Sequence, residues 1–351
     1  MLVYQYAWIL DDGYVYFRYI DNWLIHDLGL VYNQGELVEG FSSPFWALLL
    51  GALRGLHLNY WYSVLLIGWG TLIAFWWLTV IVNRHLLTGD TAGQPLILNL
   101  PAAYLLCNYA VLSYFTSGVE TPLVLLMGAA YAAAICFPAN RLLMIVIGLG
   151  PMIRHELAIP YAMLLCWLWY RNGRLPWAAI LSGGLTLGGY VLFRIWYYAD
   201  IFPLTFYLKD QAWWSQGWLY LLDTSSTYYT GSYLLLITAG LVWLDRTRRQ
   251  SVVMNERLVM IVIALPVLLY VIRIGGDPRH FRYLAFPFVL FGCAGGGLLE
   301  RVVPASSRAA KLMAGVAMLG VVGLLLSLYP PQLSVNPLKT YQAARTHETV
   351  N

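Results

Sequence analysis

Two adjacent carboxylates, Asp11 and Asp12, are the first groups along the chain that could do acid–base chemistry. They precede a segment, 14–28, that has apolar residues at helical spacing: Tyr14, Phe17, Ile20, Leu24 and Leu28. The spacing predicts a helix lying along a membrane surface, with the two carboxylates at its N-terminus. Such carboxylates often only accept hydrogen bonds from free backbone N–H groups. Beside apolar surface they can instead act as a general base, which typically contributes about 10²–10⁴ in rate.

Further charged groups follow short apolar segments. Arg154 and Glu156 are predicted to lie below a membrane boundary, where a charge costs roughly 2.5–3.5 kcal/mol and commonly lines a cavity. Their alternative role is a mutual ion pair between two helices. The segment GGDPRHFRY begins with a glycine turn and gathers four polar residues: Asp277, Arg279, His280 and Arg282. Arginine forks suit a phosphate, and the alternative is a surface loop with a local Asp–Arg pair.

Composition indicates that lipid is the solvent around this chain. Of 351 residues, 60% are hydrophobic and 11% charged, and the mean hydropathy is +0.64. Soluble domains have about 45–50% apolar and about 25% charged residues. The 15 Trp and 26 Tyr residues fit a protein with two membrane–water boundaries. An integral membrane protein is therefore expected, and a nucleic-acid partner is not.

The apolar segments predict an all-α polytopic transmembrane bundle of about 10–12 membrane segments, forming a single domain over 1–351. They are 60–82, 96–115, 119–137, 142–153, 157–170, 176–198, 231–245, 257–273, 283–299 and 310–329. A full span needs about 20 residues, so 142–153 and 157–170 are expected to end inside a protein-lined cavity. Segment 45–57 is also short and is expected only to dip into the membrane.

Basic residues alternate between loops and predict the topology. Simple arginine clusters occur in every second loop: Arg84, Arg141, Arg171 with Arg174, Arg246 with Arg248 and Arg249, and Arg301 with Arg308 and Lys311. Those loops are expected in the cytoplasm. The loops 116–118, 154–156, 199–230 and 274–282 are then extracytoplasmic, as is 11–44 if 45–57 does not cross. One side thus has simple arginine clusters, and the other has mixed acids, bases and aromatics.

The cysteines show no pattern typical of a metal site. Cys107, Cys136, Cys166 and Cys293 lie inside apolar segments, none at a metal-ligand spacing, so neither disulfides nor a zinc site is expected. No cofactor is expected. The Asp11–Asp12 pair could hold a divalent cation, so the metal requirement stays open.

The residues around the Asp pair resemble the first extracytoplasmic loop of GT-C superfamily membrane glycosyltransferases, particularly proteins related to the terminal arabinofuranosyltransferases. The matching positions are Asp11, Asp12, Tyr14, Phe17, Arg18, Tyr19, Asn22, Gly29, Leu30, Val31, Asn33, Gly35, Glu36, Val38, Glu39, Gly40, Ser42, Ser43, Pro44 and Trp46. Four later motifs are similar as well. They comprise Ser117–Leu123 around Glu120, Arg154–Leu157 with two substitutions, Pro203, Thr205, Tyr207 and Lys209 without the family's Asn, and Gly275–Asp277 followed by Arg282 and Tyr283.

The resemblance implies an inverting transfer of a sugar, such as arabinofuranose or another pentose or hexose, from a polyprenyl-phosphate donor. The acceptor is a glycan, lipid or protein at the outer face of the plasma membrane. Asp11 is then expected to be the base, with Asp12 as second choice. The residues expected at the donor phosphate and sugar are Arg154, Glu156, Lys209, Asp277, Arg279, His280 and Arg282. Those expected to bind the acceptor or brace loops are Arg18, Tyr19, Glu39 and Glu120.

One feature departs from the resemblance. Ten residues precede the Asp pair, too few to cross about 30 Å at about 1.5 Å per residue. The first membrane helix is therefore expected to be truncated, or the start to lie further upstream.

The alternative functions are a transporter or flippase of lipid-linked sugars, which should show internal repeats, and an inactive membrane scaffold.

Overall fold

The computed structural model describes residues 8–87, 99, 101–102, 108–208, 212–227, 234, 237–240, 251–277, 281–298 and 300. Within these ranges all regular structure is helical, as the apolar pattern predicts, and no strand occurs. The predicted segment 310–329 and most of 231–245 lie outside them, so the full number of membrane segments stays a prediction.

The described residues include thirteen α-helices and one 3₁₀ turn. They are α1 (Asp11–Leu24), α2 (Pro44–Gly55), α3 (Tyr60–Leu86), α4 (Tyr109–Tyr114), α5 (Thr121–Cys136), α6 (Arg141–Ile147), α7 (Gly150–Ile153), the 3₁₀ turn His155–Leu157, α8 (Ala158–Asn172), α9 (Trp177–Tyr198), α10 (Leu204–Tyr207), α11 (Trp214–Thr227), α12 (Ser251–Arg273) and α13 (Ala285–Ala294).

Three of these helices are long and apolar enough to cross a membrane: Tyr60–Leu86, Trp177–Tyr198 and Asn255–Arg273. The longest, α3, has 27 residues and therefore extends about 40 Å. The Asn59 side chain accepts a hydrogen bond from the Trp61 N–H and caps its first turn, while Arg84 and His85 complement the helix dipole at its end. Large apolar side chains on α3 remain exposed, as expected for a surface that faces lipid.

The centre of the bundle is α5, which packs against α3, α12 and α13. Of its 16 residues, 15 are buried. At Gly128 an added Cβ would come within 2.8 Å of Val289 on α13, so glycine allows the two helices to approach closely. The predicted segment 119–137 is thus a helix, but protein surrounds it on all sides.

The two short segments, expected to end inside a protein-lined cavity, meet at a break in the helical backbone. α6 ends at Ile147, and α7 restarts with Pro151 in its first turn and ends at Ile153. Arg154 then has extended backbone angles, φ −152° and ψ 133°, before the 3₁₀ turn leads into α8. The Arg154 residue at this break is 4% exposed. A charge therefore lies where the backbone leaves the helix inside the protein.

The predicted helix 14–28 is wrong at both ends. α1 begins at Asp11 and ends at Leu24, and the backbone N–H of Ile25 closes the last turn. Asp27 has φ of +52°, outside the right-handed helical region, so Leu28 is not helical although it fits the apolar pattern. The apolar residue Leu28 continues the helical spacing by chance, beyond the turn that ends α1.

At one end of the bundle, α3, α8 and α12 are joined by a buried carboxylate. Glu256 is 1% exposed, and its oxygens lie 3.0 Å from His85 Nε2 and 2.8 Å from Arg171 Nη1. Tyr60, at the other end of α3, contacts α1 through a hydrogen bond to the Phe17 carbonyl oxygen. The 25 residues that separate Tyr60 from His85 correspond to about 38 Å of helix, so this cluster is remote from the Asp pair.

Replacing Glu256 with Ala is expected to lower stability by about 1.5–3 kcal/mol, because the ion pair with Arg171 and the hydrogen bond with His85 are lost and Arg171 is left without this partner. Thermal unfolding in detergent, followed by Trp fluorescence, measures the effect. Glu36→Ala, at an exposed position, serves as the stability control. Equal unfolding temperatures for Glu256→Ala and the unmodified protein would contradict a joining role for this carboxylate.

Candidate active site

The Asp pair is held by contacts between the start of α1 and the turn before α5. The Leu10 N–H donates to the Ser117 carbonyl oxygen over 2.8 Å. Gly118 has φ of +77°, which favours glycine, and this turn lies directly against the first turn of α1. Asp11 Oδ1 accepts a hydrogen bond from the Asp12 N–H over 3.1 Å. Asp11 thus accepts a hydrogen bond from a free backbone N–H group, as the capping interpretation predicts, whereas the Asp12 side chain contacts Arg282.

Asp12 begins a chain of alternating carboxylates and guanidinium groups. Its Oδ2 lies 2.5 Å from Arg282 Nη1, and Arg282 Nη2 lies 3.4 Å from Glu120 Oε1. The same Glu120 oxygen accepts from Arg154 Nη1 at 2.7 Å, and Arg154 Nη2 lies 2.5 Å from Glu156. The Asp12 side chain is 51% exposed, whereas the other four are at most 10% exposed. The chain therefore extends from a buried interior to one accessible carboxylate.

Glu120 is the central carboxylate of this charge chain and is fully buried. Burial alone would raise the pKa of Glu120, but the nearby guanidinium groups of Arg282 and Arg154 outweigh it and lower that pKa to about 2. The Tyr16 hydroxyl donates to its second oxygen over 3.3 Å. The Tyr283 ring centre lies 4.2 Å from the Arg154 guanidinium carbon, a cation–π contact. Glu120 is therefore ionised and fixed in position.

The charge chain carries more acid than base. Asp277 adds a fourth carboxylate, with its Oδ2 3.9 Å from Arg282 Nη1. Among the described residues this gives four carboxylates and two guanidinium groups, a net charge of −2. The other predicted phosphate ligands, Lys209, Arg279 and His280, lie outside the described residues. The structure brings Asp12, Arg154, Glu156, Asp277 and Arg282 together, and it pairs both described arginines with carboxylates.

Glu39 makes a second buried ion pair, with a partner that the sequence motifs do not identify. Arg194 of α9 donates from Nε to Glu39 Oε2 over 2.5 Å and from Nη2 to Oε1 over 3.2 Å, and the Tyr190 hydroxyl donates to Oε1 over 2.9 Å. Burial raises the pKa of Glu39, although the Arg194 contact acts in the opposite direction. An arginine inside an apolar span needs a partner, and this signal could have predicted the pair.

Arg18 and Tyr19 brace the first loop. Arg18 Nε donates to the Tyr32 carbonyl oxygen over 2.8 Å. The Tyr19 hydroxyl donates to the Val38 carbonyl oxygen over 2.7 Å and accepts from the Gly40 N–H over 2.8 Å. Of the two roles predicted for these residues, bracing is visible in these contacts.

Comparison with known proteins agrees with the loop motifs. The chain is 29% identical over 322 residues to a terminal beta-(1->2)-arabinofuranosyltransferase of Mycobacterium tuberculosis, covering 81% of this chain and 51% of that protein. It is 25% identical over 329 residues to the enzyme of the same name from Corynebacterium glutamicum, covering 80% and 46%. The chain is similar to terminal arabinofuranosyltransferases. It spans about half the length of these curated relatives. No family model and no solved structure matches it.

The chain also has an apolar groove of about 650 Å³ between the first loop, α2, α7 and α9. Its walls include Trp23, Phe41, Leu149, Met152, Leu185 and Phe193. Leu30, also in the wall, is fixed by bonds to the Tyr197 and Tyr198 hydroxyls over 2.9 and 2.7 Å. The Phe41 ring centre lies 5.8 Å from that of Tyr16, which contacts Glu120. The groove therefore adjoins the charge chain.

Metal-ligand side chains meet at the opposite end of the described bundle. The ligand atoms of His85, Cys136 and Glu256 all lie within 4.8 Å of one another. No sequence spacing reveals this group, because its members come from the ends of three helices. Among the described residues the Asp11–Asp12 pair is not part of any such three-residue group. The cysteines Cys136, Cys166 and Cys293 are free, and Cys107 lies outside the described residues.

Proposed function

We propose that the chain is a glycosyltransferase that moves a sugar, in the first instance arabinofuranose, from a polyprenyl-phosphate donor to an acceptor hydroxyl at the extracytoplasmic membrane face. The observation that carries the proposal is the accessible Asp11–Asp12 pair beside the buried charge chain, in a protein similar to two named arabinofuranosyltransferases. The apolar groove next to the charge chain suits a polyprenyl tail.

The proposed reaction is a single displacement. Asp11 accepts the proton of the acceptor hydroxyl, the hydroxyl oxygen bonds to the anomeric carbon, and the bond from that carbon to the phosphate oxygen breaks with inversion. The leaving lipid phosphate carries the negative charge. Because the described cluster has a net charge of −2, a phosphate here needs further cations, and Lys209 and Arg279 are the residues proposed to supply them.

The direct test is a donor panel. Purified full-length protein is incubated with polyprenyl-phosphoryl arabinofuranose and with the mannosyl and glucosyl equivalents, each with an arabinofuranose oligosaccharide as acceptor. Mass spectrometry then follows donor loss and acceptor extension. Extension by one pentose from the arabinofuranosyl donor supports the proposal. Intact donors with all three sugars contradict it and would favour the transporter alternative, to be checked by lipid-linked sugar movement in vesicles.

The groove gives a separate prediction about donor length. Gly189 lines the groove, and a Cβ added there meets no atom within 4 Å. Gly189→Leu should therefore fold normally and occupy the space for the tail. We expect the KM for a long-chain polyprenyl donor to rise about tenfold, or about 1.4 kcal/mol, with little change for a donor with a single short isoprenoid unit.

Gly184→Leu is the matched control for this experiment. Gly184 lies on the same helix and is equally open, but it does not line the groove. Its KM for the long-chain donor should stay within twofold of the unmodified protein. An equal effect of Gly189→Leu on long and short donors would remove the groove from the proposed donor site.

A further inference from the structure

A second, more polar pocket of about 370 Å³ lies between α1 and the first loop. Val15 and Tyr19 form its α1 side, and Leu204 of α10 contributes an edge. The Leu204 N–H donates to the Glu39 carbonyl oxygen over 3.0 Å, which fixes that edge to the loop. The remaining wall comes from the loop 32–40, including Tyr32, Asn33 and Glu36. This pocket has no role in the reaction derived above.

The side chains of this pocket suit a neutral sugar. Asn33 Nδ2 donates to Glu36 Oε2 over 3.0 Å, and both residues are exposed, so an amide and a carboxylate are available to hydroxyl groups. Tyr32 is 40% exposed, and its ring centre lies 5.8 Å from that of Tyr19, which gives the pocket an aromatic side. No lysine or arginine is among the residues that line it, and the neighbouring Arg18 is engaged by Tyr32, with Nε on its carbonyl oxygen and the guanidinium carbon 4.7 Å from its ring centre. A carboxylate without a lining cation disfavours a phosphate and favours uncharged hydroxyls.

The pocket lies in line with the Asp pair along α1. Asp11, Val15 and Tyr19 are spaced by four residues, so they follow one another on the same face of the helix. Successive members are separated by about 6 Å of helix axis. A sugar seated against Val15 and Tyr19 can therefore direct a hydroxyl towards Asp11. The apolar groove also includes Trp23 of α1 and part of the first loop, but it shares none of the residues that line this pocket, which is thus free for a second substrate.

We propose that this pocket binds the terminal sugar of a carbohydrate acceptor and presents its hydroxyl to Asp11. The proposal rests on the proposed function for the role of Asp11. The binding of a sugar by Tyr32, Asn33 and Glu36 is measurable without any transfer. A glycan acceptor is thus selected over a lipid or protein acceptor, since the pocket offers hydrogen-bonding groups and an aromatic side of a size suited to one or two sugar units.

The test uses a linear arabinofuranose tetrasaccharide as probe. Its binding to the full-length protein in detergent, without donor, is followed by saturation-transfer NMR. Glu36→Gln and Asn33→Ala are expected to raise its Kd about tenfold each. In the transfer assay the same variants should raise the acceptor KM about tenfold and leave the donor KM and kcat within twofold. Asp27→Asn, an exposed acid in the same loop outside the pocket, is the matched control and should change neither.

The outcomes separate the pocket from the reaction. In one outcome, both variants bind the tetrasaccharide more weakly while the unmodified protein transfers no sugar. That result supports sugar binding in the pocket and overturns the proposed function. Transfer that proceeds with unchanged acceptor KM in both variants overturns the pocket and leaves the function standing. An unmodified protein that does not bind the tetrasaccharide at millimolar concentration also overturns the pocket.

Discussion

Replacing Asp11 with Asn is expected to lower the rate of sugar transfer by roughly 10²–10⁴, the usual contribution of a general base. The variant keeps the shape of the side chain but cannot accept the proton of the acceptor hydroxyl. Asp11 is exposed in the first turn of α1, so the substitution should leave the fold intact. The measurement is kcat with the arabinofuranosyl donor, accompanied by the unfolding temperature to confirm that the variant is folded.

Asp12→Asn provides the comparison that assigns the base. One Asp12 oxygen pairs with the Arg282 guanidinium at 2.5 Å, whereas Asp11 Oδ1 accepts a hydrogen bond from the Asp12 backbone N–H at 3.1 Å. We expect a smaller loss of kcat for Asp12→Asn and a change in donor KM, because Arg282 loses a partner and its position is altered. Full activity in Asp11→Asn combined with complete loss in Asp12→Asn would transfer the role of base to Asp12.

The apolar pattern predicted several helices but missed α11, which lies in the predicted loop 199–230, and it did not predict how completely each helix is covered. α3, α5 and α9 occupy the predicted apolar segments, yet Trp77 of α3 is 62% exposed while nearly all of α5 is buried. Both helices are apolar on every face. Periodicity therefore could not separate a surface facing lipid from one facing protein. The end of α1 was missed because the positive φ of Asp27 is a backbone property without a hydrophobic signal.

The candidate site was predictable as a set of residues but not as a set of partners. The loops predicted to be extracytoplasmic, with their edges, contain Asp12, Glu120, Glu156 and Asp277, and these residues meet in the structure. Glu120 and Arg282 are separated by 162 positions, so their pairing depends on long-range packing that no spacing encodes. Part of this pairing was anticipated, because the mutual Arg154–Glu156 ion pair was one of the two predicted alternatives.

The second large effect is expected at Glu120. In the folded protein its pKa is lowered from 4.5 to about 2, and each unit corresponds to 1.36 kcal/mol, so its ionised form contributes on the order of 3 kcal/mol. A depressed carboxyl pKa gives stability that is fully present above the unfolded value and is lost as pH falls towards the folded value. The unmodified protein should therefore lose this contribution between about pH 4.5 and pH 2.

Glu120→Gln removes that contribution at every pH. At pH 7 its unfolding temperature should be clearly lower, because a neutral amide leaves the adjoining faces of Arg154 and Arg282 without a charge partner in a buried site. Below pH 4.5 the difference from the unmodified protein should shrink, because Glu120 of the unfolded chain binds a proton there while Glu120 of the folded protein stays ionised down to about pH 2.

Glu156→Gln is the control that distinguishes the centre of the charge chain from its end. It removes a carboxylate from the same Arg154, but Glu156 contacts one of the two arginines where Glu120 contacts both. Its effect on unfolding should consequently be smaller. If the charge chain instead consists of independent ion pairs, Glu120→Gln and Glu156→Gln will destabilise the protein equally. A larger loss of stability in Glu120→Gln would show that the buried Glu120 carboxylate holds Arg282 in place. Because Arg282 in turn contacts Asp12, the position of Asp12 would then depend on a residue more than a hundred positions away.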